Sequence, residues 1–156
     1  MDEDARFEDA ARPADAPVAL RALDAADVPV LSALVQDAVF PITEMRFDRK
    51  RRRLALLLNR FRWELAGRAP ERVQAVLSIE DALAVRSQGL DRTDTDTVLS
   101  LLALHWHPGP DGTGRLDLVL AGDGTIAVDL EALEITLRDV TRPYRAPSGK
   151  APDHGA

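Results

Sequence analysis

The chain has 156 residues, 46% of them hydrophobic and 29% charged, with a net charge of −6; that is enough for one domain with its own core and no stabilising metal. Cysteine is absent, which excludes disulfides, thiolate metal sites and cysteine nucleophiles. The longest apolar runs, residues 54–58 and 101–104, fall far short of the ~20 residues a membrane-spanning helix needs.

Residues 1–17, MDEDARFEDAARPADAP, hold six acids, two prolines and few large apolar groups. Such a segment buries too little surface to offset its ordering entropy, so a disordered acidic tail is predicted. It also lacks the basic and apolar regions of a secretory signal, and the expectation is a cytoplasmic protein without a membrane segment. Residues 18–140 are expected to form a single globular domain. Residues 141–156, TRPYRAPSGKAPDHGA, read as a flexible Pro/Gly-containing tail from which Tyr144 can pack back on the body.

Within the domain, VALRAL (18–23) reads as a short strand and is followed by a helix. Asp24 and Asp27 are both candidate caps, and Pro29 favours Asp27, because proline is tolerated where its missing N–H would be unpaired anyway. Val28, Leu31, Leu34, Val35 and Ala38 then share one helical face. Beyond the helix the period changes to two. Residues 40–47 and the strand from Arg53 form a predicted hairpin across Asp48, Arg49 and Lys50. Ala55, Leu57, Asn59, Phe61 and Trp63 fall on one face of that strand, which the two aromatics mark as the core face. Leu54, Leu56, Leu58, Arg60 and Arg62 fall on the other, which therefore runs from apolar to solvated.

A strand through Val73, Ala75, Leu77, Ile79, Leu83 and Val85 would bury Asp81, so a bulge or bend is expected there. Strands are predicted at 98–107, 116–121 and 125–130, the last two joined by Gly122, Asp123 and Gly124. Trp106 shares a face with Leu102 and Leu104 at a strand end. Residues 131–140 fit either a helix or a strand, and the β-branched Ile135 and Thr136 favour the strand. The expected fold is α+β: one N-terminal helix on a curled, barrel-like, mostly antiparallel sheet of six or seven strands. A helical 131–140 would make it pleckstrin-homology-like.

The blocks VQDAV (35–39), RRLALLLNRFRWE (52–64), LAVRSQGLDR (83–92), VLSLLAL (98–104) and GDGTIAVDLEALEITLRDV (122–140) resemble an uncharacterised, mainly alphaproteobacterial domain-of-unknown-function family, number 2948. The likeness covers about residues 20–140. It implies a bacterial cytoplasmic protein and brings no activity, ligand or catalytic residue with it.

Few residues offer chemistry. His105 and His107 lie two apart in a strand, so both imidazoles face one side, a geometric start for a metal site or enzyme that lacks an evident third ligand. Asp91, Asp94 and Asp96 cluster like calcium ligands, but the glycine and closing glutamate of an EF-hand loop are missing, which favours a polar turn. Serine-nucleophile and phosphate-loop motifs are absent, and no cofactor is implied. Asn59, on the expected core face, would either pin a loop or line a small pocket beside Phe61 and Trp63.

Charge is the one lead to function. Residues 46–72 contain ten bases and three acids, a surplus of +7 that leaves −13 for the rest of a chain of net −6. Arginine outnumbers lysine 18 to 2, a bias a GC-rich genome also produces. Guanidinium groups suit carboxylates and phosphates, and Arg46, Arg60 and Arg62 are the candidate partner-binding residues. Three readings follow. The patch is paired with acids of the same molecule, or it binds a protein partner, or it supports a nucleic-acid accessory domain. Phe61 and Trp63 alternate away from Arg60 and Arg62, which disfavours nucleic acid, since stacking and phosphate contacts would fall on opposite faces. A non-catalytic interaction module that binds a protein partner is the expected function; the oligomeric state is open.

Overall fold

Alternation with period two dominates the chain after its first third, and the strands it produces set the architecture. The structure, a computed structural model, describes residues 16–63, 71–91 and 93–140, together with the backbone of 144–145. The tails predicted at 1–17 and 141–156 lie mostly outside the described residues. In chain order come β1 (Ala19–Ala22), α1 (Val28–Leu34), β2 (Val39–Pro41), β3 (Met45–Asp48), β4 (Arg53–Phe61), β5 (Glu71–Ile79) and β6 (Ala82–Gln88). They are followed by β7 (Val98–Pro108), β8 (Gly114–Leu120), β9 (Thr125–Leu130), β10 (Ile135–Asp139) and β11 (Tyr144–Arg145).

The strands join in the order β1-β10-β5-β4-β2-β7-β8-β9-β6, with β3 beside β4 and β11 beside β5. Each pairing is antiparallel. The path is open and ends at β1 and β6, so an α+β fold with a large antiparallel sheet is correct, while a count of six or seven strands is too low. Two splits account for part of the difference. A 3-10 turn at Ile42–Glu44 divides the predicted 40–47 strand into β2 and β3. A bend at Asp81, whose φ is 54°, separates β5 from β6. Residues 131–140 contribute the strand β10 and no helix, which removes the pleckstrin-homology-like alternative.

One half of the sheet, β1-β10-β5-β4-β3, and the other, β7-β8-β9-β6, turn their apolar faces to a single buried cluster. The first half supplies Leu54, Leu56 and Leu58, with Ala75, Leu77 and Ile79 opposite them in register and Ile135 and Leu137 beyond. The second supplies Leu116, Leu118 and Leu120 beside Ile126, Val128 and Leu130. The helix α1 adds Val28 and Leu31, and the loop after it adds Val35 and Ala38. Asp27 does occupy the cap position before a proline, but its carboxylate accepts from the Leu23 N–H rather than from the helix. Ser32 Oγ accepts from Leu104 N at 2.9 Å and ties α1 to β7.

Two bulges change which side chains reach this core. Leu102 is an extra residue between the Leu101–Leu120 and Ala103–Val119 pairs; Leu83 is another between Ala82–Leu130 and Ala84–Asp129. Both leucines therefore turn outward, at 37% and 47% exposure, whereas the predicted alternation put Leu83 on the face of Ile79 and Val85 and Leu102 on that of Leu104. Leu104 and Trp106 keep the inner phase. Trp106 is partly buried against the core and lies so close to Gly114 that a Cβ there would sit 2.4 Å from its ring. The β8–β9 turn is as expected, with Gly122 and Asp123 at φ 82° and 69°.

The face assignment of β4 differs from expectation. Leu54, Leu56, Leu58 and Arg60 point inward, while Ala55, Leu57 and Asn59 point outward. Phe61 nevertheless is only 3% exposed, because the Arg72 guanidinium lies 4.4 Å from its ring centroid and Trp63 packs 5.5 Å away. Trp63, expected to be largely buried, is half-buried and donates its indole N–H to the Gln36 carbonyl at 2.8 Å. Phe61→Ala should cost about 3–5 kcal/mol in urea denaturation; a loss under about 1 kcal/mol, typical of exposed positions, would contradict this packing.

Candidate functional site

The basic segment is spent largely on internal partners. Arg60 is fully buried and Asp139 is 1% exposed. Arg60 Nε and Nη2 donate to the two carboxylate oxygens of Asp139, each at 3.0 Å, and Nη1 donates to the Phe61 carbonyl at 3.1 Å. The same carboxylate accepts from Val18 N at 2.8 Å, and Asp139 N returns a bond to the Val18 carbonyl. Arg62 is also buried and reaches Glu71 at 2.8 Å. Both arginines were expected on an exposed partner-binding face, and the structure corrects this. Strand alternation is uninterrupted from Leu54 to Arg60, and a waiting carboxylate offsets the cost of bringing a guanidinium inside.

The remaining bases divide into paired and unpaired. Arg51 meets Asp48 at 3.7 Å, Arg53 meets Glu80 at 2.8 Å, and Arg52 pairs with Glu131. Arg49 lies over the Phe47 ring at 5.2 Å. Arg46 is exposed and, among the described residues, has no hydrogen-bond or ion-pair partner. Five of the segment's bases, Arg51, Arg52, Arg53, Arg60 and Arg62, thus meet acids of the same molecule.

Arg46 belongs to a surface that no single stretch of sequence outlines. Register places Arg46 beside Ala55, Ala55 beside Ser78, Ser78 beside Thr136 and Thr136 beside Arg21. A single row therefore crosses β3, β4, β5, β10 and β1 on the outer face, with small side chains between two arginines. The adjacent row runs Leu57, Val76, Arg138 and Ala19. Between them lies a shallow trough of about 430 Å³, with Val76, Ser78 and Thr136 in its floor and Arg21, Arg53 and Arg138 around it. Glu134 holds Arg21 at 2.6 Å, as Glu80 holds Arg53. Arg46 and Arg138, both exposed, have no ion-pair or hydrogen-bond partner among the described residues. Arg21 and Arg138 lie outside the basic segment. The polar phase of 136 and 138 was visible in the sequence, but the strand order that brings β10 and β1 beside β5 was not.

The outer face of the other half is balanced. His107 Nε2 is 3.0 Å from Asp117, which also accepts from Arg115 at 3.0 Å, while Arg86 pairs with Asp129 at 2.8 Å. His105 faces the same side, opposite Asp117 in register. Among the described residues no three His, Asp or Glu side chains are placed to hold a metal ion. Asp91 and Asp94 turn their carboxylates back on their own loop: Asp91 accepts from the Thr93 N–H and hydroxyl at 3.0 and 2.6 Å, and Asp94 from the Asp96 N–H at 3.1 Å. Asn59, expected on the core face, lies outward between Val39 and Gln74, its Oδ1 buried with no hydrogen-bond partner among the described residues. None of the described helices is long and apolar enough to cross a membrane.

The chain belongs to the family described as "Protein of unknown function (DUF2948)", which it matches over residues 18–154. No curated protein and no solved structure matches it. The match spans every residue of the trough and of the Arg60–Asp139 pair.

Two measurements check this account. Asp139→Ala strands a buried guanidinium and should cost about 3–5 kcal/mol in denaturant unfolding, whereas Asp117→Ala, at an exposed network, should change stability by about 1 kcal/mol or less. The Thr93 hydrogen bonds hold the Asp91 carboxyl below its ordinary 3.8. A group depressed in the folded state stabilises above its unfolded pKa and loses that contribution as pH falls through the folded value. An NMR titration of Asp91 should therefore give a midpoint below 3.8 that moves up toward it in Thr93→Ala, which removes the hydroxyl donor and keeps the Thr93 N–H.

Proposed function

We propose that the domain is a non-catalytic module that binds a protein partner through the outer face of β3, β4, β5, β10 and β1. The observation that carries this reading is the pair of arginines without a partner among the described residues, Arg138 at the rim of the trough and Arg46 at the far end of the row that leads from it through Ser78 and Ala55. Two unpaired guanidiniums about a small-residue surface suit an acidic partner, because their forked donors match carboxylates and the floor admits close approach. Of the partner-binding residues suggested by sequence, Arg46 stays in this role. Arg60 and Arg62 serve it indirectly, by holding the strands beneath. We further place the protein in a bacterial cytoplasm, on the family resemblance alone.

A protein partner is favoured over nucleic acid by the extent of the cationic surface. Phosphate binders gain affinity by displacing counterions along a continuous basic track, and here Glu80 and Glu134 interrupt it. In pull-downs, a partner of the wild type should be lost in Arg46→Glu/Arg138→Glu and kept in Arg115→Glu, a reversal on the opposite half, with both variants folded. Retention by the double variant, or salt-sensitive binding of an oligonucleotide by the wild type alone, would sink the protein-partner reading.

A further inference from the structure

We infer that the trough on the outer face is the docking site of the chain's own acidic segment, residues 1–15, which competes there with an acidic partner. The inference rests on the reading of that face as a binding surface and adds how access to it is controlled.

Three observations point to this occupant. The first is charge. Residues 1–15 contain Asp2, Glu3, Asp4, Glu8, Asp9 and Asp15 against Arg6 and Arg12, six acids less two bases, or −4. Among the two outer faces, the arginine surplus falls on this one; on the other, Arg86 and Arg115 are matched by Asp129 and Asp117. The second is the point of entry. Ala19 lies opposite Arg138 in register, so the chain joins the sheet beside the unpaired arginine at the trough. The Val18 bonds to Asp139 fix that entry. The third is reach. Fifteen extended residues span up to about 50 Å, and the four strand spacings from β1 to β3 amount to about 19 Å.

The energetics require little. A tethered segment meets its site at an effective concentration of about a millimolar, so a weak intrinsic affinity suffices for occupancy. The carboxylates Glu80, in the trough wall, and Glu134, beside Arg21, do not block it. Their pairs with Arg53 and Arg21 are partly exposed, and exposed pairs contribute at most about 1 kcal/mol, so the arginines exchange partners readily. A partner with more carboxylates, or at high local concentration, then displaces the segment, and the segment sets a threshold for binding.

The test uses the full chain, whose lack of cysteine allows a single spin label at Ala10→Cys. Amide signals of Ala55 and Ser78, across the trough from the entry point, should broaden relative to Asp117 and Ala127 on the opposite half. The broadening should fade at about 0.5 M salt, where the screening length drops to a few ångströms. It should also fade when Asp2, Glu3, Asp4, Glu8 and Asp9 are replaced by their amides, and in Arg138→Gln. The amide-substituted segment should in addition raise the affinity of an oligoglutamate probe for the unlabelled chain about tenfold, through removal of a tethered competitor. Equal broadening with the neutral segment, or equal probe affinity for the two chains that both bind it, would overturn the inference. Charge-dependent broadening with no probe binding by either chain would support the internal contact and count against the partner reading alone.

Discussion

A single buried ion pair constrains this sheet. Arg60 on β4 and Asp139 on β10 meet across β5, both out of solvent, and the Asp139 carboxylate also takes the Val18 N–H that leads into β1. Four strands are therefore referenced to one carboxylate. Bringing two charges inside costs several kcal/mol, and apolar residues of the same shape often serve stability as well or better. What the pair contributes is register. A slip of β4 by one residue would present Asn59 or Phe61 to Asp139 and expel Arg60, leaving a buried carboxylate without a cation. The outer rows from Arg46 to Arg21 line up only in the register this pair specifies.

The basic segment shows why local charge is a poor guide to surface potential. Its +7 is a sum over neighbours in sequence, yet Asp139, Glu131 and Glu80, far away along the chain, return to it in space. The arginines of this outer face without a partner among the described residues, Arg46 and Arg138, lie 92 positions apart, 138 less 46. The surface that results is modest in charge and specific in layout, a pattern suited to choosing among partners more than to holding any anion tightly.

Elements with strong local codes were legible in the sequence. Pro29 after Asp27 placed the helix start, Gly122 and Asp123 placed a turn, the β-branched 135–136 pair chose strand over helix, and Asp81 announced a bend. The face of β4 was not legible. Phe61 and Trp63 argued for one side and Leu54, Leu56 and Leu58 for the other. Only the position of Asp139, unknowable without the strand order, resolves the conflict in favour of a buried Arg60. The outward leucines 83 and 102 were likewise hidden, since a bulge leaves no mark in a run of apolar residues. The candidate site suffered most, because it is composed of single residues from five strands whose adjacency is a property of topology.

The bulge at Leu102 makes β7 a strand of mixed parity. Before it, odd positions such as 99 and 101 are interior; after it, even positions such as 104 and 106 are. Loss of Leu102 would leave those faces unchanged, because Leu101 and Ala103 already oppose the consecutive residues Leu120 and Val119; plain alternation would simply be restored. The bulge is therefore a place where β7 can lose a residue and still keep Leu104 and Trp106 in the core. It acts as slack in the strand, a spare length that a deletion can use up without reversing a face.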